Sequence, residues 1–316
     1  MLIITALLPV FLVMALGYGA GRRKLIDNQN VASLNVLLMQ FALPVTLFIS
    51  IAKTPRAVIL DNGLLALVLA LGLCITFGIV ALVQSRMFKL DLGDTAVETL
   101  TISFPNFASI GLPLLLPIFG PSAALTVAIA IAVGSVTISP MTLAMLELAK
   151  ARKADLGHTV TPLHQFFVAL GHSVRKPIFV GPVLGLLCVL FGLKLPGLLV
   201  TGFGPLTAAT AGIGLFLTGL MLSAQAIHIN GDVILGVAVK NVIQPLVVYG
   251  LALAIGMPTM EAKQAALLMA IPAGFFGLVF GASNGVRPPV AGATLLLSSV
   301  AGIVTLAVAI WLLAPA

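Results

Sequence analysis

Asn106 follows Pro105 in the stretch SFPNFA, which sets a side-chain amide directly beside a residue that cannot complete a helix. Proline removes a backbone donor and crowds the carbonyl four residues back, so a helix should open before Pro105. An amide at such a break can donate to a carboxylate, or it can cap the helix that resumes, as Asn often does. Ser103 offers a hydroxyl at the same place. A second break, AIPAGFF, holds Pro272, Ala273 and Gly274, and its proline stands 167 positions after Pro105. Lys240, with Asn241 and Gln244 ahead of Pro245, is the strongly basic residue well inside an apolar run. A charge at such depth marks a functional site, here a coupling or charge-balancing group. Yet Lys240 lies about 12 Å from one end of its run at 1.5 Å per residue, within reach of snorkelling to the interface. Both roles are open from sequence.

The elements that position these residues follow from composition. Charged residues make up 8% of the 316-residue chain and apolar residues 60%, against roughly 25% charged in soluble domains, so lipid is the main solvent. Apolar runs bounded by charges or turn residues predict ten spans, at 2–21, 31–52, 61–85, 96–118, 122–146, 178–193, 205–226, 233–256, 262–285 and 290–313. The first lacks a positive flank before it and is followed by Arg22-Arg23-Lys24, which reads as a retained span rather than a cleaved leader. Cys74 and Cys188 lie within apolar runs and read as packing residues, and no metal or cofactor motif is present. The net charge of +7 is spread over loops rather than one face, so it reports topology and not a nucleic-acid partner. With the N-terminus outside, inner loops hold Arg22, Arg23, Lys24, Arg86, Lys89, Lys150, Arg152, Lys153, Arg175, Lys176 and Arg287. Outer loops hold Lys53, Arg56, Lys194 and Lys263. That bias predicts a multi-pass protein of the inner (plasma) membrane with both termini outside.

Residues 1–146 and 178–316 each supply five predicted spans, and five is odd, so the second half must enter the membrane inverted. Pro9 and Pro177, each followed two residues later by Phe, stand 168 positions apart, within one residue of the same offset. The segment 147–177 is then a cytoplasmic linker, with an interfacial amphipathic stretch at 163–174 and solvated histidines at His158, His164 and His172. Small-residue pairs at Gly17/Gly21, Gly181/Gly185 and Gly277/Gly281 suit close helix packing. Proline and glycine interruptions at matching positions of inverted halves point to a substrate site where the fourth and ninth segments cross. The second half of each broken helix would start at mid-membrane with its positive dipole end, which favours an organic anion, most naturally a carboxylate. The first halves would end there in carbonyls, so coupling to a proton or to sodium stays open. Asp61, Glu98, Glu147, Asp232 and Glu261 sit near segment ends, which argues against cation/proton exchange.

At these residues the chain resembles the auxin efflux carrier family over essentially its whole length. The resemblance rests on LLPVFLVMALGYGAGRRKL, QFALPVTLF, SFPNFASIGLPLLLPIFG, TAATAGIGLFLTGLMLSA and AIPAGFFGLVFGASNG, in this order and spacing. It implies ten transmembrane helices as two inverted five-helix repeats, a scaffold and a transport domain, and crossed broken helices that bind a substrate carboxylate. By motif position it places Pro105, Asn106, Pro272, Ala273 and Gly274 at the crossover, with Leu43 and Leu47 lining the pocket from the scaffold side. It also suggests a homodimer. Ala273 stands where plant members carry a polar residue, which implies an anion held asymmetrically by Asn106 and backbone amides. SFPN…GLPLL followed by IAVGSVTISPMTL is most similar to bacterial malonate transporters.

The sequence therefore predicts an all-α polytopic membrane protein. Its expected activity is secondary active transport of small organic anions such as malonate or malate, by elevator-like movement of one helix bundle against another. The competing readings are a sodium-coupled symporter of larger anions and a membrane-embedded enzyme. For the enzyme the chain offers no Ser/His/Asp set, Cys/His pair or acidic metal motif at depth.

Overall fold

The computed structural model describes residues 2–28, 31–53, 56, 62–120, 122–153, 175–224 and 228–314; the expected stretch 163–174, the three histidines before it and within it, and Asp61 fall outside them. The described residues form helices: α1 (Leu2–Arg22), α2 (Ala32–Ala52), α3 (Gly63–Arg86), α4 (Leu92–Ser103), α5 (Leu112–Phe119), α6 (Ser122–Val136), α7 (Ile138–Lys153) and α8 (Pro177–Leu190). They continue with α9 (Gly197–Ser223), α10 (Gly231–Ala254), α11 (Thr259–Met269), α12 (Phe276–Ser283) and α13 (Pro289–Leu313). Among the described residues six rods are long and apolar enough to cross a membrane: α2, α3, the rod Thr126–Arg152 made by α6 and α7, α9, α10 and α13. Between residues 92 and 119, and again between 259 and 283, the helical path is cut in two.

These helices are apolar on both faces because one face meets lipid and the other meets protein. On α3, Leu67, Leu71, Ile75, Ile79 and Leu82 point outward at three- and four-residue spacing, while Val68, Leu69, Leu73, Phe77 and Val80 are buried. Helix starts are set by short polar side chains. Asp91 accepts from the Asp94 N–H at 2.8 Å, so α4 begins four residues before its apolar run; Asn230 accepts from the Val233 N–H at 3.0 Å and opens α10.

Three π-helical turns, at Leu37–Ala42, Phe107–Gly111 and Val239–Ile243, each lie two residues ahead of a proline (Pro44, Pro113 and Pro245). The proline ring crowds the carbonyl four residues back, and the turn relieves this by widening. Leu43 and Gln244 accordingly donate five residues back, to Leu38 and Val239.

The helices pack in two groups. In one, α1 lies on α9 and α8 lies on α2. In the other, α4 packs against α3, α7, α12 and α13, and α10 against α11 and α13. The contacts of the first group are made by glycine. A Cβ on Gly17 would stand 2.0 Å from the Phe216 carbonyl oxygen, and one on Gly219 would stand 1.9 Å from that of Met14. Gly181 and Gly185 press in the same way on Pro44 and Phe48 of α2, and Gly277 and Gly281 on Val97 of α4. The three predicted glycine pairs thus all sit at close helix approaches.

Gly17→Val is expected to separate α1 from α9 and cost about 1–3 kcal/mol, the usual penalty of overpacking. Gly19→Ala on the same helix meets nothing within 4 Å and is expected to melt like the parent. Melting of the detergent-purified variants checks both.

Candidate functional site

The two interruptions of the helical path meet each other. Pro105 cannot donate, and the residue before a proline is pushed out of the helical region, so Phe104 turns extended (φ −107°, ψ 99°). Beyond α11, residues 272–274 also run extended, and the two short stretches pair antiparallel at Pro105 and Ala273. The Asn106 N–H donates to the Pro272 carbonyl at 3.0 Å, and the Gly274 N–H donates to the Phe104 carbonyl at 2.9 Å. Gly274 is needed here, since a Cβ would lie 2.5 Å from the Phe104 oxygen. The Pro272 ring in turn fits over Gly302 of α13.

Helix α10 fastens both broken ends. The Lys240 ammonium donates to the Met269 carbonyl at 2.7 Å, where α11 ends, and to Gln244 Oε1 at 2.6 Å. Gln244 Nε2 donates to the Ser103 carbonyl at 2.8 Å, where α4 ends. Asn241 Nδ2 donates to the Ser298 carbonyl at 2.9 Å, the Ser298 hydroxyl donates to Asn241 Oδ1 at 2.6 Å, and the Ala273 N–H donates to that hydroxyl at 3.0 Å. Lys240 is 0% exposed, so it does not snorkel to an interface. Distance along α10 did not reveal that α4 and α11 cover this face of the helix.

The backbone amides expected to hold a ligand are largely engaged: those of Asn106, Phe107, Ala273 and Gly274 all have protein partners. The side chains differ. Asn106 Oδ1 is buried and accepts no hydrogen bond, so the capping alternative is not realised, and the buried Ser103 hydroxyl is equally without a partner. Five buried side-chain atoms among the described residues are orphaned in this way, and four of them belong to α4 and its break (Glu98, Thr99, Ser103 and Asn106). Each such group costs about 1–3 kcal/mol, so their concentration on one element calls for a functional cause.

On the other side of Pro105 lies a cavity of about 150 Å³. Leu43, Thr46, Leu47 and Ser50 of α2 and Thr207, Thr210 and Ala211 of α9 form one wall. Phe104, Pro105, Phe107, Phe275 and Phe276 form the facing wall, with Val127 and Ile131 of α6. Phe104 and Phe276 lie 5.0 Å apart, and Phe275 stacks on Phe276 at 5.1 Å. The structure thus places Leu43, Leu47 and Pro105 at the cavity. It gathers Ser103, Asn106, Pro272, Ala273, Gly274, Lys240, Asn241 and Gln244 in the buried crossover behind it. The hydroxyls of Thr46, Ser50, Thr207 and Thr210 did not stand out in the sequence. Their signal was spacing: Thr46 and Ser50 fall one turn apart, beside Leu43 and Leu47.

A crossover of interrupted helices in an apolar bundle, with a small cavity against it, is the arrangement of a membrane carrier. The sequence profile described as "membrane transport protein" matches residues 2–310, and the chain belongs to this family, the auxin efflux carriers. The uncharacterized transporter YfdV of Escherichia coli (strain K12) is 27% identical over 302 residues, covering 95% of this chain and 94% of its own. Proteins of the same name from Escherichia coli O157:H7 and Shigella flexneri match equally.

Lys240→Met removes the donor to Met269 and Gln244 and leaves two buried acceptors unpaired, at about 1–3 kcal/mol each. The expected result is a melting temperature lower by roughly 5 °C or more in detergent. An unchanged melting curve would show that the lysine does not fasten the crossover.

Proposed function

We propose that the chain is a secondary active transporter of small organic anions, carboxylates such as malonate or malate, working by an elevator-like mechanism. The observation that carries this reading is the crossover itself: two broken helices bridged antiparallel, with a buried ammonium fastened between them and the Ser103 hydroxyl and Asn106 side-chain amide oxygen buried beside it without partners. Net positive charge at that depth, set by a lysine and by helix starts, favours an anionic ligand. The cavity of about 150 Å³ suits a small acid. It is about ten times the roughly 10–15 Å³ in which one water fits, and it is far short of the several hundred Å³ of a drug-sized site. That size weighs against the symporter of larger anions.

In this reading ten spans form two inverted five-helix repeats, 1–146 and 178–316, joined by the linker 147–177. The reciprocal glycine seams, α1 on α9 and α8 on α2, support it, as does the bridging of the two breaks. The group α1, α2, α8 and α9 would be the scaffold, and the group built on α4 and α10 would carry the substrate past it. Asn106 and Ser103 would hold the carboxylate, Leu43 and Leu47 would close the pocket from the scaffold, and Lys240 would balance the charge. The protein would sit in the inner membrane with both termini outside.

Asn106→Ala removes a hydrogen bond to a charged ligand, worth about 1.5–3 kcal/mol, and should weaken carboxylate binding about 10- to 100-fold with the fold intact. Affinity measured by ligand-induced thermal stabilisation checks this, and an unchanged value removes Asn106 from the site. Because Lys240 already places a cation at the crossover, uptake into proteoliposomes is expected to be the same in sodium and in potassium buffers. Strict dependence on sodium would favour the symporter instead.

A further inference from the structure

A second buried polar site lies along α4, one to two turns before the break. Glu98 is 0% exposed; its Oε1 accepts from the Thr294 hydroxyl of α13 at 2.7 Å, while its Oε2 has no partner. On α10, Gly236 packs against this carboxylate, since a Cβ there would lie 3.3 Å from Glu98 Oε1 and 3.2 Å from the Thr294 methyl. Asp232 lies one turn before Gly236 on the same face of α10 and Lys240 one turn after it. Asp232 is itself buried and accepts from Gln84 Nε2 of α3 at 2.7 Å; the other end of that amide, Gln84 Oε1, is buried and accepts nothing. The site therefore holds two carboxylates, one with an unpaired oxygen, and the Gln84 amide that binds the other carboxylate and leaves its own oxygen unpaired.

The remaining charges around Glu98 are accounted for. Asp94, one turn back on α4, is half-buried near the helix start. On α3 Arg86 is exposed, and on α7 Glu147 is paired with Lys176 while Lys150 and Arg152 are exposed. Helices α12 and α13 carry no ionisable side chain. Two features offset part of the cost of burying Asp232: the Gln84 amide, and its place in the first turn of α10, where the helix dipole favours negative charge. Glu98 has neither. A buried carboxylate with an unpaired oxygen beside a second carboxylate is relieved by a proton.

We infer that Glu98 is the proton-coupling residue of this carrier, binding one proton when an organic anion binds at the crossover. The inference rests on the anion reading above. Without substrate, ionised Glu98 supplies a negative charge beside Gly236, one turn along α10 from Lys240. When a carboxylate arrives it takes over as the counter-charge to Lys240, and Glu98 takes a proton from the open side onto Oε2. The loaded interior keeps the net charge of the empty one. After the anion leaves on the far side, the proton leaves by the same opening. Movement of anion and proton together is electroneutral for a monocarboxylate.

The test is calorimetric titration of the purified protein with malonate, malate and lactate, in buffers of differing ionisation heat and across pH 6 to 10. Corrected for the acid's own ionisation, uptake should rise from near zero, where Glu98 is already protonated in the free protein, to about one proton per anion at higher pH, where Glu98 is ionised, and there affinity should fall about tenfold per pH unit. Glu98→Gln should bind with no proton uptake and a flat pH profile, and Glu98→Asp should restore both. Binding without proton uptake by the parent protein overturns this inference and leaves the anion reading standing. Full proton uptake by Glu98→Gln overturns the assignment to Glu98 and moves it to Asp232. If Glu98→Gln does not fold, retention of proton uptake in Glu98→Asp, set beside the parent titration, decides the matter. No binding of any of the three acids sinks the anion reading and the coupling together.

Discussion

The constraint on which the structure depends is that backbone polar groups inside a bilayer must find partners within the protein. Two helices that stop at mid-depth each expose carbonyls and amides, and neither break is viable alone. Each supplies what the other lacks. The Asn106 N–H finds the Pro272 carbonyl and the Gly274 N–H finds the Phe104 carbonyl, while Lys240 and Gln244 take up the carbonyls left at Met269 and Ser103. Glycine at 274, the extended turn at Phe104, the widened turn before Pro245 and the burial of a lysine all serve that mutual satisfaction.

The same constraint explains where the structure leaves groups unsatisfied. Backbone atoms at the crossover are paired with care, yet Glu98, Thr99, Ser103 and Asn106 retain orphaned side-chain atoms on one short element. Stability alone would have replaced them with apolar residues of similar size. Their retention on α4 and its break, next to the buried Lys240, sets this element apart from the well-satisfied seams of α1, α2, α8 and α9.

Much of this was legible in the sequence. The apolar runs gave most helices to within a few residues, though α9 begins eight residues before its run and α7 ends seven residues after its own, and the motif order gave the family. Pro105 and Pro272 marked both interruptions, because proline's missing donor acts locally. What stayed hidden depended on partners far along the chain. Lys240 looked close enough to an interface to snorkel, but Met269, 29 positions on, covers it. Glu98 is near the end of its apolar run, as read, yet Thr294, 196 positions away, closes over it. Burial of this kind comes from tertiary packing, and no local pattern encodes it. The use of the backbone amides by Ser298 and by the opposite break was hidden for the same reason.

The antiparallel bridge has a mechanical consequence. Because α4 and α12 are bonded across it and α10 grips both sides, the crossover cannot shear internally without stranding four or more polar groups. In the proposed elevator-like motion it would travel as one rigid body. In that motion, sliding would fall to the surface that carries the least directional bonding, the cavity wall, where Leu43, Leu47 and a few hydroxyls of α2 and α9 face a row of phenylalanines. Such a surface is a bearing: greasy, short of hydrogen bonds that would lock one register, and lubricated by whichever small solute fills the gap.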